Sequence, residues 1–365
     1  MPPPATSNAR RANGKTALTY KAAGVDVTAN DDMVERIKAS LKRTYDDRVM
    51  SRHNAFAGLF RLDYGGELLK RRYKDPVLVS GADGVGSKLL LGAQYGRVTD
   101  LGVDLVAMNV NDVLTTGAEP LFFLDYVACH KLSPAWVADM VEGIARGCEL
   151  ADCSLLGGET AELPDLYAPG HFDLAGFCVG VAERRRLLDG PKEVRPGDVV
   201  LGLASSGVHS NGYALVRKCL DRLPKDGRLP VDLGEPLADA VLRPTRIYVR
   251  SIIALLKRYR RKRAVRAMAH ITGGGLGGNI PRVIPDHCDV QLKKGSWPIP
   301  PIFKLLQACG VTEAEMFRVF NMGIGFVVIV RPAFADSVMA QLIRTGERVF
   351  RIGTIRRGEN RLVWK

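Results

Sequence analysis

Residues 77–88 read Val77-Leu-Val-Ser-Gly-Ala-Asp83-Gly84-Val85-Gly86-Ser87-Lys88, an apolar stretch of strand length ending on a carboxylate, two glycines, a hydroxyl and a lysine. These residue types suit phosphate and metal chemistry. Glycines let backbone N–H groups approach an anion closely. A carboxylate oxygen such as that of Asp83 is the hard ligand Mg²⁺ prefers, and Lys88 would neutralise phosphate oxygens. The run Lys88-Leu-Leu-Leu-Gly-Ala93 reads as a helix start, which places the polar residues at a strand-to-helix turn beside a partly positive helix N-terminus. The spacing matches neither a Walker A loop nor G-x-G-x-x-G, so the segment alone also reads as a tight turn with a solvated lysine.

Similar stretches recur. Gly157-Gly158-Glu159-Thr160-Ala-Glu162 follows the apolar Leu155-Leu156, again a strand running into glycines and carboxylates. Ser205-Ser206-Gly207-Val208-His209-Ser210-Asn211-Gly212 forms a loop after the strand Asp198–Ala204. Its N–H groups suit an anion, and the His209 ring suits a proton shuttle or a phosphate donor. The glycine loop His270-Ile-Thr272-Gly273-Gly274-Gly275 suits a second anion, with His270 either touching it or bracing the loop. Asn321 lies in a third glycine loop before the strand Phe326–Val330, and Asn211 and Asn321 read as positioning groups.

The elements that carry these loops follow from periodicity. Leu101–Asp112 and Trp136–Cys153 read as helices, and Glu119–Ala128 and His171–Ala182 as strands. With 365 residues the chain exceeds the size of one ordinary core, so two domains are expected, each mixing strands and helices. The turn-rich segment after Leu187 marks their boundary: a basic, disordered tail over 1–17, an N-terminal domain over 18–187 and a C-terminal domain over 188–365.

A composition of 46% hydrophobic and 25% charged residues is globular, and no apolar run reaches bilayer length. The first residues lack the apolar segment of a signal peptide, which implies a cytoplasmic protein. Seven scattered cysteines without C-x-x-C read as reduced, mostly buried thiols rather than a zinc site. The net charge of +13 has its clearest source in Lys257-Arg-Tyr-Arg-Arg-Lys-Arg263. A solvated face explains this run better than a nucleic-acid patch, because no aromatic ladder accompanies it.

Taken in order, the stretches Tyr20–Asp26, Val79–Lys88, Val110-Asn111-Asp112, Gly117–Asp125, Gly157–Glu162, Ser205–Gly212, Pro244–Tyr248 and His270–Gly275 resemble the phosphoribosylformylglycinamidine cyclo-ligase (AIR synthetase) family of purine biosynthesis. The resemblance covers nearly the whole chain. It implies a two-domain α+β / α/β fold in which the N-terminal domain forms a β-barrel-like dimer interface and the C-terminal α/β domain flanks the ATP cleft. It implies ATP-dependent ring closure of formylglycinamidine ribonucleotide to aminoimidazole ribonucleotide, with ADP and phosphate released. The implied cofactors are ATP as co-substrate and Mg²⁺, with K⁺ as a further candidate ion; the implied partner is a second copy of the chain, with no membrane. On this resemblance Asp83, Asp112 and Glu159 are the expected Mg²⁺ ligands, and Lys38 matches a lysine the family places near ATP. His209, Lys38 and Asp83 are the expected catalytic residues. Gly84, Gly86, Ser87, Lys88, Asn111, Gly157, Gly158, Thr160, Ser206, Gly207, Asn211, His270, Thr272, Gly273 and Gly274 are expected to line the nucleotide and substrate sites.

The chain departs from the family pattern at Ser51-Arg-His-Asn-Ala-Phe-Ala-Gly58, where the family carries a glycine-rich segment thought to fold over the triphosphate. Two other readings stay open. One is another ATP-using member of the same superfamily, such as selenophosphate synthetase, thiamine-phosphate kinase or formylglycinamidine ribonucleotide synthetase. The first would want a reactive Cys near its N-terminus, whereas the earliest here is Cys129. The other is a non-catalytic basic paralogue, which would have little physical reason to keep Asp83, Asp112, Glu159 and His209 together.

Overall fold

The computed structural model describes residues 27–50, 59–62 and 73–365; the tail over 1–17, the Tyr20–Asp26 stretch and the altered segment Ser51–Gly58 lie outside the described residues. The first part of the chain contains α1 (Val27–Arg43), β1 (Pro76–Gly84), α2 (Lys88–Gln94), α3 (Val98–Thr115), β2 (Glu119–Cys129), α4 (Pro134–Ala151), β3 (Ser154–Glu162) and β4 (Phe172–Glu183). Next come α5 (Gly190–Glu193), β5 (Val199–Ala204), α6 (Tyr213–Leu220), α7 (Leu237–Leu242), α8 (Val249–Arg258), β6 (Val265–His270) and α9 (Gly275–Asn279). The chain closes with β7 (Cys288–Leu292), α10 (Pro301–Ala308), α11 (Glu313–Val319), β8 (Ile324–Val330), α12 (Ala335–Arg344), β9 (Val349–Arg357) and β10 (Leu362–Trp364).

Strands β1 to β4 form one sheet in the order β1-β4-β2-β3, antiparallel except for the β2–β3 pair. This sheet is open among the described residues, so one copy of the domain does not close a barrel by itself. Its outer strands β1 and β3 do not pair, and four strands are too few to close, since small barrels take about eight. As an edge strand β1 is only alternately covered, not buried as its apolar run suggests. Its outward Leu78 is 53% exposed and the neighbouring Phe177 of β4 is 44% exposed. The second sheet runs β10-β7-β9-β5-β8-β6, antiparallel except for β10–β7, with every residue of β8 buried.

Helix α3 sits between the sheets and positions the chemistry. It is apolar nearly all round, which is the pattern of a helix buried on every side. It crosses α4 at glycines: a Cβ on Gly102 would stand 2.4 Å from Met140 O, and one on Gly143 would stand 1.9 Å from Thr99 O. Each glycine costs a helix roughly 1 kcal/mol against alanine, and here that cost is offset by backbone-to-backbone approach. One apolar cluster joins Leu101, Leu105, Ile144 and Leu155 to Leu201, Ile252, Phe326 and Val328, so residues of both sheets share a core through α3 and α8.

The basic run ends α8 and continues beyond it. Lys257, Arg258 and Arg260 to Arg263 are exposed, and Arg263 Nη1 pairs with Glu193 at 3.3 Å. The described cysteines are all free, and only Cys309 is not fully buried. No described helix is long and apolar enough to cross a membrane.

Candidate active site

The strand register lines up two carboxylates. Asp83 of β1 pairs with Gly176 of β4, Gly176 pairs with Asp125 of β2, and Asp125 pairs with Gly158 of β3. Residues in one such row project from the same face of a sheet, so Asp83 and Asp125 share a face about 10 Å apart across the β4 backbone. The glycines between them leave room. A Cβ on Gly158 would meet Asp125 Oδ1 at 2.4 Å, and one on Gly176 would meet Asn109 Nδ2 at 2.7 Å. Asp125 is buried, and loss of water raises its pKa to about 7, its own N–H opposing. It faces a cavity of about 190 Å³ closed by Met33, Ile37 and Leu41 of α1 and by Gly157 to Thr160. Lys38 lies between Ile37 and Leu41 on α1 and pairs with Glu35.

Asp125 is the acidic residue that the sequence motifs did not single out, and its own signal was there: it follows the apolar run Leu121–Leu124 within β2, on the same parity as Phe123. Its raised pKa has a measurable consequence. The folded chain keeps a proton that the unfolded chain releases above roughly pH 4, so this group's contribution to stability is full below that pH and is lost as pH rises through about 7. Asp125→Asn mimics the protonated form. In metal-free buffer the melting temperature of the wild type, read against that of Asp125→Asn, should fall by several degrees from pH 5 to pH 8, on the order of a few kcal/mol. Parallel curves for the two proteins would refute the buried acid.

Asp83 and Asp112 face one another at the end of α3. Asn109 Nδ2 donates to Asp83 O at 3.2 Å and to Leu105 O at 2.9 Å, which ties the strand end to the helix. Loss of water raises the Asp83 carboxyl pKa; the Gly84 N–H opposes this, Asp112 adds repulsion, and His270 lowers it slightly. Asp112 is half exposed and its Oδ1 lies 2.8 Å from His270 Nδ1. His270 Nε2 in turn lies 3.5 Å from Asn111 Nδ2, an amide that can only donate. The ring is thereby oriented with Nδ1 toward Asp112. Two mutually repelling carboxylates with an imidazole behind one of them are a fitting donor set for a hard divalent cation.

Glu159 does not join them. It pairs with Tyr126, one register position beyond the row of Asp83 and Asp125, so strand alternation turns it to the other face. The described residues contain no group of three His, Cys, Asp or Glu side chains that could hold a metal. Of the three carboxylates expected to hold magnesium, the described structure brings Asp83 and Asp112 near one another.

Lys88 also departs from expectation. It is fully buried, its Nζ lies 2.5 Å from Asp104 Oδ2 and donates to Arg243 O at 3.0 Å. Burial pushes its ammonium pKa down, against the pull of Asp104. An ammonium so enclosed does not meet a phosphate. Asn111 is likewise committed: Nδ2 donates to Arg246 O at 2.8 Å and Oδ1 accepts from Tyr248 N at 3.1 Å. Gly84 and Gly86 stay at the strand-to-helix turn, Gly86 with φ +70°, and Ser87 precedes α2 without a capping bond.

The 205–212 loop folds back on itself. His209 is buried with φ +67°, a left-handed backbone that costs a non-glycine residue on the order of 1 kcal/mol. Its Nε2 accepts the Ser206 N–H at 3.2 Å, so its proton sits on the enclosed Nδ1. Burial drives its pKa well below the usual range, with His270, Lys88 and Arg246 adding to the shift. A neutral ring whose acceptor is already taken braces the loop, rather than donating to phosphate as expected. Asn321 Nδ2 holds the carbonyls of Gly207 and Val208 at 2.9 and 3.0 Å. The N–H groups of Gly207 to Ser210 make no backbone bond among the described residues, which leaves them suited to an anion. Across the cleft, Asn279 Nδ2 holds the carbonyls of Thr272, Gly273 and Gly275, and Asn211 Oδ1 would lie 3.4 Å from a Cβ on Gly273.

Known proteins match this chain along its length. The family model described as "AIR synthase related protein, N-terminal domain" matches residues 69–182, and that for the C-terminal domain matches residues 195–365. A Burkholderia cenocepacia (strain HI2424) protein named phosphoribosylformylglycinamidine cyclo-ligase is 51% identical over 341 residues, 93% of each chain. A Polaromonas sp. (strain JS666) protein of the same name is 51% identical over 353 residues, 96% of this chain and 98% of its own. Among solved structures, a thiamine-monophosphate kinase from Stenotrophomonas maltophilia K279a shares the fold at TM-score 0.65 and 18% identity, over 92% of this chain and 96% of its own. The hydrogenase maturation protein HypE, solved in complex with ATP, shares it at TM-score 0.63 and 15% identity, over 91% of this chain and 90% of its own. With both family domains matched in order and half of all residues shared with such relatives, the chain belongs to the phosphoribosylformylglycinamidine cyclo-ligase family of AIR synthase related proteins.

Proposed function

We propose that this chain catalyses the ATP-dependent closure of formylglycinamidine ribonucleotide to aminoimidazole ribonucleotide. The observation that carries this reading is the 51% identity to relatives of that name over at least 93% of both chains. The formyl amide oxygen attacks the γ-phosphorus of ATP, the bond to ADP breaks, and the amide becomes an iminophosphate. The amidine nitrogen then attacks the activated carbon, the C–O bond breaks, phosphate leaves, and loss of a proton gives the imidazole. Such chemistry asks for positioning and charge neutralisation, with no protein nucleophile.

In this reading Asp83 and Asp112 would hold Mg²⁺, which neutralises charge on the triphosphate when bound. His270 orients Asp112 through its Nδ1. The β3 glycines and Lys38 flank the nucleotide. The free N–H groups of Gly207 to Ser210 take the 5′-phosphate of the ribonucleotide, and Thr272 to Gly274 line the opposite wall. Two copies would associate through the outer face of the N-terminal sheet, where Leu78 and Phe177 are exposed. The domains divide between residues 187 and 188, and the free thiols suit a reducing cytoplasm.

The test is ADP release from Mg²⁺-ATP with and without formylglycinamidine ribonucleotide, coupled to colorimetric detection of aminoimidazole ribonucleotide. ADP and imidazole product are expected in equal amounts and only with both substrates; exchanging K⁺ for Na⁺ in the same assay reads any potassium requirement. ADP release without imidazole would sink the assignment.

A further inference from the structure

We infer that the buried Lys88–Asp104 pair is a positioning device for the anion-binding loop, acting through Thr245 and Ser210; this rests on the loop's proposed hold on the ribonucleotide phosphate. Both charges are fully buried, and their polar contacts run outward in one direction. Asp104 Oδ1 accepts from Thr245 N at 2.7 Å and from Thr245 Oγ1 at 2.6 Å. Thr245 has spent its hydroxyl proton on Asp104, so across the 3.0 Å contact between the two hydroxyls Ser210 must be the donor. The order is fixed: the Ser210 hydroxyl donates to Thr245, Thr245 donates to Asp104, and Lys88 holds the other carboxylate oxygen. Neighbouring backbone groups are pinned in the same way. Lys88 takes Arg243 O, Ser206 Oγ takes Pro244 O at 2.6 Å, and Asn111 takes Arg246 O. Residues 243–246 thus form a splint between α2 and α3 on one side and both ends of the 205–210 turn on the other.

A charged acceptor in a dry site makes each of these bonds stiffer and more directional than one between neutral groups. The splint explains why a lysine in a glycine-rich turn is buried: its ammonium meets one oxygen of Asp104, and the other oxygen of that carboxylate takes both donors of Thr245.

The test compares Thr245→Val, which keeps the shape and removes the hydroxyl, with Thr245→Ser, which keeps the hydroxyl. Calorimetry reads formylglycinamidine ribonucleotide binding to the full chain without ATP, and steady-state kinetics reads KM for each substrate. Thr245→Val should weaken ribonucleotide binding and raise its KM by about tenfold, the scale of one hydrogen bond to a charged group, while KM for ATP stays within about twofold. Thr245→Ser should restore both. Equal affinity in wild type and Thr245→Val, with both folded, would overturn the splint and leave the proposed activity standing. A wild type that does not bind the ribonucleotide would instead overturn the proposed activity. Should Thr245→Val fail to fold, Ser210→Ala removes the outer hydroxyl of the same chain, and unchanged affinity there overturns the splint.

Discussion

Asp83→Asn is expected to lower substrate-dependent ADP release by two to three orders of magnitude, roughly 10²- to 10³-fold, while leaving the fold intact. The two parts of this expectation come from different contacts. Among the described residues the Asp83 carboxyl accepts one hydrogen bond, from its neighbour Gly84, which an amide oxygen also accepts. Its charge is a burden to the empty fold, since lost water and Asp112 both raise its pKa. Removing that charge should shift stability by no more than about 1 kcal/mol, in either direction. For phosphoryl transfer the same charge is an asset, because repulsion between Asp83 and Asp112 is what a divalent cation relieves. A coupled assay and a melting curve on one preparation check both parts, and near-normal turnover would remove Asp83 from the metal site. Asp112→Asn should cost a similar factor, and the double variant little more than either single one, as residues serving one ion act as a unit.

How far the site could be read from the sequence depended on how local each cause was. Asp83 and the glycines after it were legible because a strand end, a turn and a helix start fall within about a dozen residues, and such local geometry follows from residue type. Glu159 looked equivalent because the same residue types recur after Leu156. What distinguishes it is register: pairing with Tyr126 sets its face, and that pairing is a property of two strands together. Lys88 misled for a stronger reason. Its burial is set by Asp104 on the next helix and by Thr245, which lies 141 residues beyond Asp104. An isolated glycine-rich turn gives no sign of that closure. One signal was available on α3, where Asp104, Asn109 and Asn111 stand among its buried apolar residues; a buried helix face carries polar residues only where partners meet them. His209 shows the same limit, since its role is decided by a hydrogen bond within its own loop rather than by the histidine itself.

The largest effect on stability should come from Lys88→Met, which keeps much of the volume and removes the charge. Asp104 would then remain a buried carboxylate held by the two donors of Thr245 alone, and breaking a buried pair in this way costs about 3–5 kcal/mol. Against a usual total of about 5–15 kcal/mol, that loss brings the fold close to its limit. Adding Asp104→Leu removes the stranded charge and should recover part of the loss. Full recovery is not expected, because the Thr245 N–H would stay buried without its Asp104 acceptor, at about 1–3 kcal/mol, and Arg243 O would lose its Lys88 donor. The double variant should therefore fall between Lys88→Met and the wild type. Urea unfolding of the four proteins closes a double-mutant cycle, and the coupling should be the same at low and high salt because a fully buried pair is screened little. A Lys88→Met protein as stable as the wild type would show that Asp104 takes up a proton when its partner is lost, and that the pair holds no charge worth its burial.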